Sequence, residues 1–151
     1  MNVIKLYNEP TLEFYGVDNT SPKHLLFVGD ISHGFPLPSD DYMDRLISLD
    51  EHLVKHPDAT IYGRVKGNSM KDAGLSEGDV LVIDRAVKVE NGDIGIFRID
   101  GEFLCKRLQV NDTNVTLIAE NKRFKPMVFD NENMPADFLA IGRVMYKIQK
   151  L

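Results

Sequence analysis

A serine that follows a glycine turn is the side chain of this sequence with the clearest potential for catalysis. Ser69 comes after a short run of alternating apolar residues, Ile61 to Val65, and after the glycine at position 67. Because glycine allows a sharp turn, the Ser69 hydroxyl can project from the strand end instead of lying within a sheet. A serine hydroxyl is a weak nucleophile until a base removes its proton, and no histidine is close to this turn in sequence. The base must therefore come from another part of the chain.

The candidate for this base is Lys106, in a run that follows the hairpin signal Asp100-Gly101. At the period of two of a β-strand, Lys106 shares a face with Leu104 and Leu108. Burial between two leucines disfavours the charged ammonium, which lowers the lysine pKa and can leave a neutral amine near neutral pH. The ordinary alternatives are a turn serine bonded to its own backbone and a lysine whose stem lies along an apolar surface.

Attack by Ser69 on a peptide carbonyl would create an oxyanion, which needs hydrogen-bond donors. The donors closest in sequence are the backbone N–H groups of Ser69 and of either Asn68 or Met70, and the sequence leaves the choice between these two open. Cys105 is next to Lys106 but points to the opposite face of the strand, which favours a packing role for the thiol.

The composition limits the class of protein. With 151 residues, 43% of them hydrophobic, the chain can bury one core and has little left for a second domain. A net charge of -5 argues against direct sequence-specific DNA binding, which needs a basic face to neutralise phosphates. The single cysteine excludes an intramolecular disulfide, and the first residues lack the apolar segment of a signal peptide. No run is as long as a membrane span, so we expect a cytoplasmic protein.

Two histidines have a spacing that a metal site can use. His52 and His56 stand at i and i+4, but no third ligand is near them in sequence. A solvent-exposed helix face is the better interpretation of this pair. We predict neither a metal ion nor a cofactor.

The pattern after residue 60 predicts β-structure. Short runs with strand character are separated by turn signals such as Glu77-Gly78 and Asn91-Gly92. Many short strands joined by tight turns predict a mainly β fold, a single domain with a rolled antiparallel sheet. The predicted strands are 61–66, 79–84, 93–99, 102–110, 115–119, 127–129 and 138–148.

The residues before this region predict one or two short helices and an arm. Ser39 can cap a helix whose apolar face holds Tyr42, Leu46, Leu49 and Leu53. Ser48 and Glu51 form a possible capping box, which would divide the segment into two helices near residue 48. Strands are predicted at 12–15 and 24–28, in an arm too short to form a core, which must therefore dock elsewhere or remain mobile.

Three separated motifs in this order resemble the LexA/UmuD family of self-cleaving serine peptidases. They are Gly67-Asn68-Ser69-Met70, the run from Gly78 to Asp84, and the run from Gly101 to Leu108. The resemblance covers roughly residues 33 to 151. It implies the fold of the LexA/UmuD C-terminal domain and a serine/lysine dyad, Ser69 and Lys106, that cuts a bond in the protein's own N-terminal arm.

The same resemblance implies where the cut falls. His33-Gly34 matches the position of the family's scissile bond, and Pro36 and Pro38 favour the extended backbone that proteases bind. The chain would then consist of an arm, residues 1–33, that is removed or displaced, and a peptidase-like β domain, residues 34–151. In the family the residue before the cut is usually alanine or cysteine, and here it is His33.

A UmuD-like role fits better than a LexA-like one, because the arm has neither the length nor the basic charge of a helix-turn-helix domain. The resemblance implies a homodimer of the SOS response to DNA damage. A RecA filament on single-stranded DNA would stimulate its cleavage, and the processed form would be an accessory subunit of an error-prone, Y-family translesion DNA polymerase. The alternatives are a UmuD-like regulatory protein that is not cleaved and a fragment of a phage or LexA-type repressor.

Overall fold

Strands dominate the structure, a computed structural model that describes residues 3–8, 12–17, 24–26, 46–67 and 70–151. The helical segments within these ranges are a short α-helix, α1 (Leu49–Leu53), and two single turns of 3-10 helix, Pro57–Ala59 and Lys71–Ala73. No described helix is long and apolar enough to cross a membrane. The described strands are β1 (Val3–Asn8), β2 (Leu12–Val17), β3 (His24–Leu26), β4 (Leu46–Ser48), β5 (Thr60–Val65), β6 (Val80–Asp84), β7 (Ile94–Ile99), β8 (Glu102–Val110), β9 (Asn114–Ile118), β10 (Met127–Asp130) and β11 (Leu139–Ile148).

Nine of these strands form one antiparallel sheet in the order β1-β2-β5-β6-β11-β7-β8-β9-β10, and β3 pairs with β4 in a separate two-stranded sheet. The large sheet curls, because the rings of Phe14 on β2 and Phe103 on β8 meet edge to face at 5.4 Å although four strands lie between β2 and β8. The predicted mainly β fold with a rolled antiparallel sheet is therefore confirmed.

The turn between β7 and β8 shows how local sequence determines the pairing register. Asp100 and Gly101 both have positive φ angles, 50° and 79°, and Ile99 pairs with Glu102 on either side of them. A two-residue hairpin needs this left-handed backbone at both positions, which an aspartate and a glycine adopt at low cost. The turn sets the register of β8 and therefore the face on which Lys106 lies.

The predicted helical segment is wrong over residues 46–48. These residues form β4, in which Leu46, Ile47 and Ser48 pair with residues of β3, and only Leu49–Leu53 are helical. Ser48 does precede the helix, but its side chain makes no capping hydrogen bond. Helical spacing of apolar residues is a weak preference, and here pairing with a strand from the N-terminal segment overrides it. Ser39 and Tyr42 are outside the described residues.

Two buried clusters lie on opposite faces of β7 and β8. Ile96 and Cys105, which pair across these strands, belong to the first cluster, together with Leu12 and Phe14 of β2. The neighbouring pair belongs to the second cluster, in which Phe97 is buried and Leu104 packs against it. The alternation of the strand thus serves both faces: Phe103 and Cys105 of β8 contribute to the first cluster, and Leu104 and Leu108 contribute to the second.

The N-terminal residues dock on the large sheet. β2 and β3 correspond to the strands predicted at 12–15 and 24–28, whereas β1 was not predicted. β1 pairs with β2, and β2 pairs with β5 from Leu12 opposite Val65 to Gly16 opposite Ile61. The predicted arm therefore contributes, over residues 3–8 and 12–17, two paired strands that extend the sheet beyond β5.

Candidate functional site

The glycine turn at the end of β5 has the predicted backbone. Gly67 has a φ of 82°, a left-handed conformation that side-chain-bearing residues rarely adopt. The strand before it is held in place because Val65 donates its N–H to Asp79 O at 2.9 Å and accepts one from Gly78 at 2.8 Å. Asn68 and Ser69 follow this turn and are outside the described residues.

The residues that follow Ser69 in the chain are anchored to Glu120, which lies just after the end of β9. Met70 is buried, and its carbonyl accepts N–H groups from Ala73 at 3.1 Å and Leu75 at 3.2 Å. Asp72 donates its N–H to the carbonyl of Glu120 at 2.8 Å, and the Glu120 N–H points at Met70 Sδ at 3.4 Å. The described residues on both sides of Asn68 and Ser69 are therefore anchored, on one side by β5 and on the other by Glu120.

Lys106 is a buried lysine on the central part of β8. Only 8% of its surface is exposed, and its strand neighbours Leu104 and Leu108 both contribute to the second cluster. Burial lowers the pKa of the Lys106 amine, because removal from water disfavours the charged form. The predicted desolvation of this lysine by its leucine neighbours agrees with this position.

An aromatic ring lies near the Lys106 amine, whereas the adjacent thiol of Cys105 lies on the opposite face of β8. Its Nζ lies 5.5 Å from the centre of the Phe124 ring, a distance at which an ammonium interacts favourably with an aromatic face. Cys105 is buried in the first cluster, and burial raises the pKa of its thiol to about 12. The thiol therefore stays protonated at neutral pH, which agrees with the predicted packing role.

Glu120 links the two parts of the site. Its backbone holds Met70 and Asp72, and its carboxylate accepts a hydrogen bond from the guanidinium of Arg107, the residue after Lys106. Arg107 also donates to Gly92 O at 2.7 Å. The segment on the C-terminal side of Ser69 and the strand that carries Lys106 are thus attached to the same residue.

The structure describes only part of the predicted site. Lys106 and Met70 lie on elements that share Glu120 as a contact, whereas Ser69, Asn68 and the His33-Gly34 bond are outside the described residues. The sequence analysis did not identify the contacts of Glu120 and Phe124. Only knowledge of the β8–β9 register, in which Arg107 pairs with Ile118, would have indicated that an acidic residue two positions later lies close to Arg107.

The described residues contain no group of three potential metal ligands. His52 is exposed. His56 Nδ1 lies 2.6 Å from Asp84 Oδ2, and this contact connects the segment just before β5 to the last residue of β6. The contact with Asp84 gives His56 a structural role.

Comparison with known proteins points to one family. Residues 26–145 match the family described as peptidase S24-like. A LexA repressor of Providencia rettgeri is 35% identical over 127 residues, which cover 83% of this chain and 62% of the repressor. The protein ImpA of Salmonella typhimurium is 46% identical over 83 residues, which cover 55% of this chain and 57% of ImpA.

A further relative is matched over more of its length. The protein SamA of Salmonella typhimurium strain LT2 is 38% identical over 116 residues, which cover 77% of this chain and 79% of SamA. The chain thus spans less than two thirds of the length of the LexA repressor and of ImpA.

Proposed function

Because the chain belongs to the peptidase S24-like family, as its motifs predicted, we propose that it is a serine endopeptidase that cuts its own N-terminal segment. Ser69 is the nucleophile, Lys106 is the general base, and the bond between His33 and Gly34 is the substrate. The cleaved protein then serves in the SOS response.

The single observation that carries this proposal is the environment of Lys106. A lysine with 8% exposure and a lowered pKa can hold a neutral amine at a pH where exposed lysines are charged. Glu120 supports the pairing with Ser69, because it contacts residues on the C-terminal side of Ser69 and the residue that follows Lys106. Such perturbed groups are enriched at functional sites.

The reaction proceeds in two steps. The Lys106 amine takes the proton of the Ser69 hydroxyl as Ser69 Oγ attacks the carbonyl carbon of His33. Backbone N–H groups of Ser69 and of Asn68 or Met70 stabilise the oxyanion. The C–N bond then breaks, the Gly34 nitrogen takes the proton from the Lys106 ammonium, and water hydrolyses the acyl-serine with the same amine as base.

The proposed cellular role follows the resemblance of the motifs to the LexA/UmuD family. We assign the chain to the UmuD-like branch, in which a RecA filament on single-stranded DNA stimulates the cut and the homodimeric product is an accessory subunit of a Y-family translesion polymerase. The acidic net charge of -5 supports a role through protein partners instead of direct contact with DNA phosphates.

The test is an incubation of the purified protein with RecA, single-stranded DNA and an ATP analogue, followed by intact mass measurement. We expect a product of 118 residues that begins at Gly34, because 33 of the 151 residues are removed. Ser69→Ala and Lys106→Ala should give no product. Ser76→Ala and Lys71→Ala are matched controls, since both residues are exposed neighbours of the site, and these variants should be cut like the wild type.

A second candidate function, a regulatory protein that acts uncut, has one observation in its favour: His33 stands where the family usually has alanine or cysteine. An imidazole in a pocket shaped for a small side chain costs about 1 to 3 kcal/mol, or roughly one to two decades in rate. His33→Ala should therefore speed the cut. Absence of product from both the wild type and His33→Ala would favour the uncut form as the working species.

A further inference from the structure

Strand β2, near the N-terminus, is part of the core of this protein. Leu12 and Phe14 of β2 are 1% and 5% exposed, and both belong to the first buried cluster. Strand alternation brings both side chains to the same face of the sheet, where Ile61 and Val65 of β5 belong to the same cluster. β2 is thus held to the rest of the chain by buried side chains as well as by backbone hydrogen bonds.

Two strand pairings connect residues on opposite sides of the proposed cut. β2 pairs with β5 at five positions, and β3 pairs with β4 at three positions. The His33-Gly34 bond lies between the end of β3 and the start of β4 in the chain. Breaking that bond does not directly remove any of these pairings, because none of them includes residue 33 or 34.

Phe14 also makes contacts beyond β5. Its ring meets Phe103 of β8 edge to face at 5.4 Å, and it lines a pocket of about 530 Å³ whose wall includes Ile61 and Ile141. Arg85 and Arg98 lie at the same pocket. Loss of β2 would uncover these apolar side chains and the hydrogen-bonding edge of β5 together.

We propose that the edge of β5 is a strand-binding site whose occupant is residues 12–17 of this chain, and that this segment stays bound after the His33-Gly34 bond is cut. The statement about the cut rests on the proposed function, whereas the strand-binding site does not. Cleavage then produces a two-fragment complex, and release of residues 1–33 is a separate step.

The test uses a cut made by an added protease, so that it does not depend on self-cleavage. A recognition sequence for a site-specific protease replaces residues between 27 and 45 in the Ser69→Ala variant. After complete cutting, we expect both fragments to elute together on size exclusion and to give one complex in native mass measurement, although denaturing mass measurement shows two chains. Separation of the fragments at micromolar concentration would overturn the proposal.

A competition measurement shows whether β2 is the segment that holds the fragment. A labelled peptide of residues 1–33 should exchange into the cut complex, and an unlabelled peptide with Phe14→Asp should compete roughly 30- to 100-fold more weakly, since a buried ring contact is lost. Phe14→Leu, which keeps an apolar side chain, should compete within roughly tenfold of the wild-type peptide. A scrambled peptide of the same composition is the control. If the wild-type peptide competed no better than the Phe14→Asp peptide and the scrambled peptide, binding would not need a strand site, and the proposal would be refuted.

Discussion

At the scale of the residue, Lys106 combines a charged group with a buried position. The amine is removed from water by Leu104, Leu108 and the sheet around them, and its described neighbours include the Phe124 ring but no carboxylate ion pair. A carboxylate partner would raise the amine pKa, and burial without one lowers it. The position therefore favours proton transfer over a structural ion pair.

The first prediction concerns the pH dependence of self-cleavage. Because the proposed base is the neutral amine of Lys106, the rate should rise with pH and level off above the lowered pKa of that amine. Lys106→Arg should remain inactive across the range, since a guanidinium stays protonated. Rates measured without RecA from pH 6 to pH 10 give this profile, and a flat profile with intact fold would count against a lysine base.

A second prediction concerns stability. The pKa of Lys106 is lower in the folded than in the unfolded protein, so the unfolded state binds more protons and the free energy of unfolding rises with pH. The cost of burying the ammonium is complete below the folded pKa and disappears above the ordinary lysine pKa of about 10.4. Lys106→Met should therefore be more stable than the parent near neutral pH, and the difference should close as pH rises.

Urea denaturation at a series of pH values measures this difference, with Ser69→Ala as the parent so that no chain is cut. Lys71→Met is the matched control. Lys71 is exposed, so its replacement should change the free energy of unfolding by no more than about 0.5 kcal/mol. A Lys106→Met variant that is less stable than its parent at neutral pH would show that the ammonium has a stabilising partner.

At the scale of the element, β11 contains a position where only glycine fits. A Cβ atom on Gly142 would lie 2.8 Å from the carbonyl oxygen of Asp84 and 3.0 Å from Arg85 Cα, and neither backbone atom can move without shifting β6. Gly142 is adjacent to a register shift in the pairing of β11 with β7. The close approach of β11 to the end of β6 therefore depends on this residue.

Gly142→Ala should lower the free energy of unfolding by about 1 to 3 kcal/mol, the usual cost of overpacking. Thermal or urea denaturation followed by circular dichroism measures the change. Ala140→Val adds carbon atoms at an exposed position of the same strand and should be nearly neutral. Equal effects of the two substitutions would mean that the contact with Asp84 is not what limits position 142.

Some elements were predictable because their information is local. The Asp100-Gly101 turn sets the β7–β8 hairpin, and the observed bounds of β8, Glu102–Val110, are the predicted ones. β4 was predicted as helix because its spacing fits a helix and its partner β3 is 20 residues away. The contacts of Phe124 with Lys106 could not be predicted either, since strand periodicity gives the face of a residue and not its distant neighbours.

At the scale of the whole molecule, the acidic charge leads to a prediction about DNA. A net charge of -5 gives long-range repulsion from phosphates, and tight DNA binding requires several neutralising contacts. The protein alone should not bind labelled duplex DNA at about 0.15 M salt and micromolar concentration, as measured by fluorescence anisotropy. Saturable binding that weakens steeply with added salt would reveal a basic surface and would favour a repressor-type role.

The position of β11 has a consequence for the order in which the protein can fold during synthesis. β6 and β7 are close in sequence but are not neighbours in the sheet, because β11 lies between them. Ribosomes add about 5 to 20 residues per second, so several seconds pass between the synthesis of β7 and the synthesis of residues 139–148, which form β11. Until then, the backbone pairings of the final sheet cannot join strands β1, β2, β5 and β6 to strands β7 to β10. A nascent chain therefore cannot assemble the complete sheet around Lys106 before its last described strand has been made.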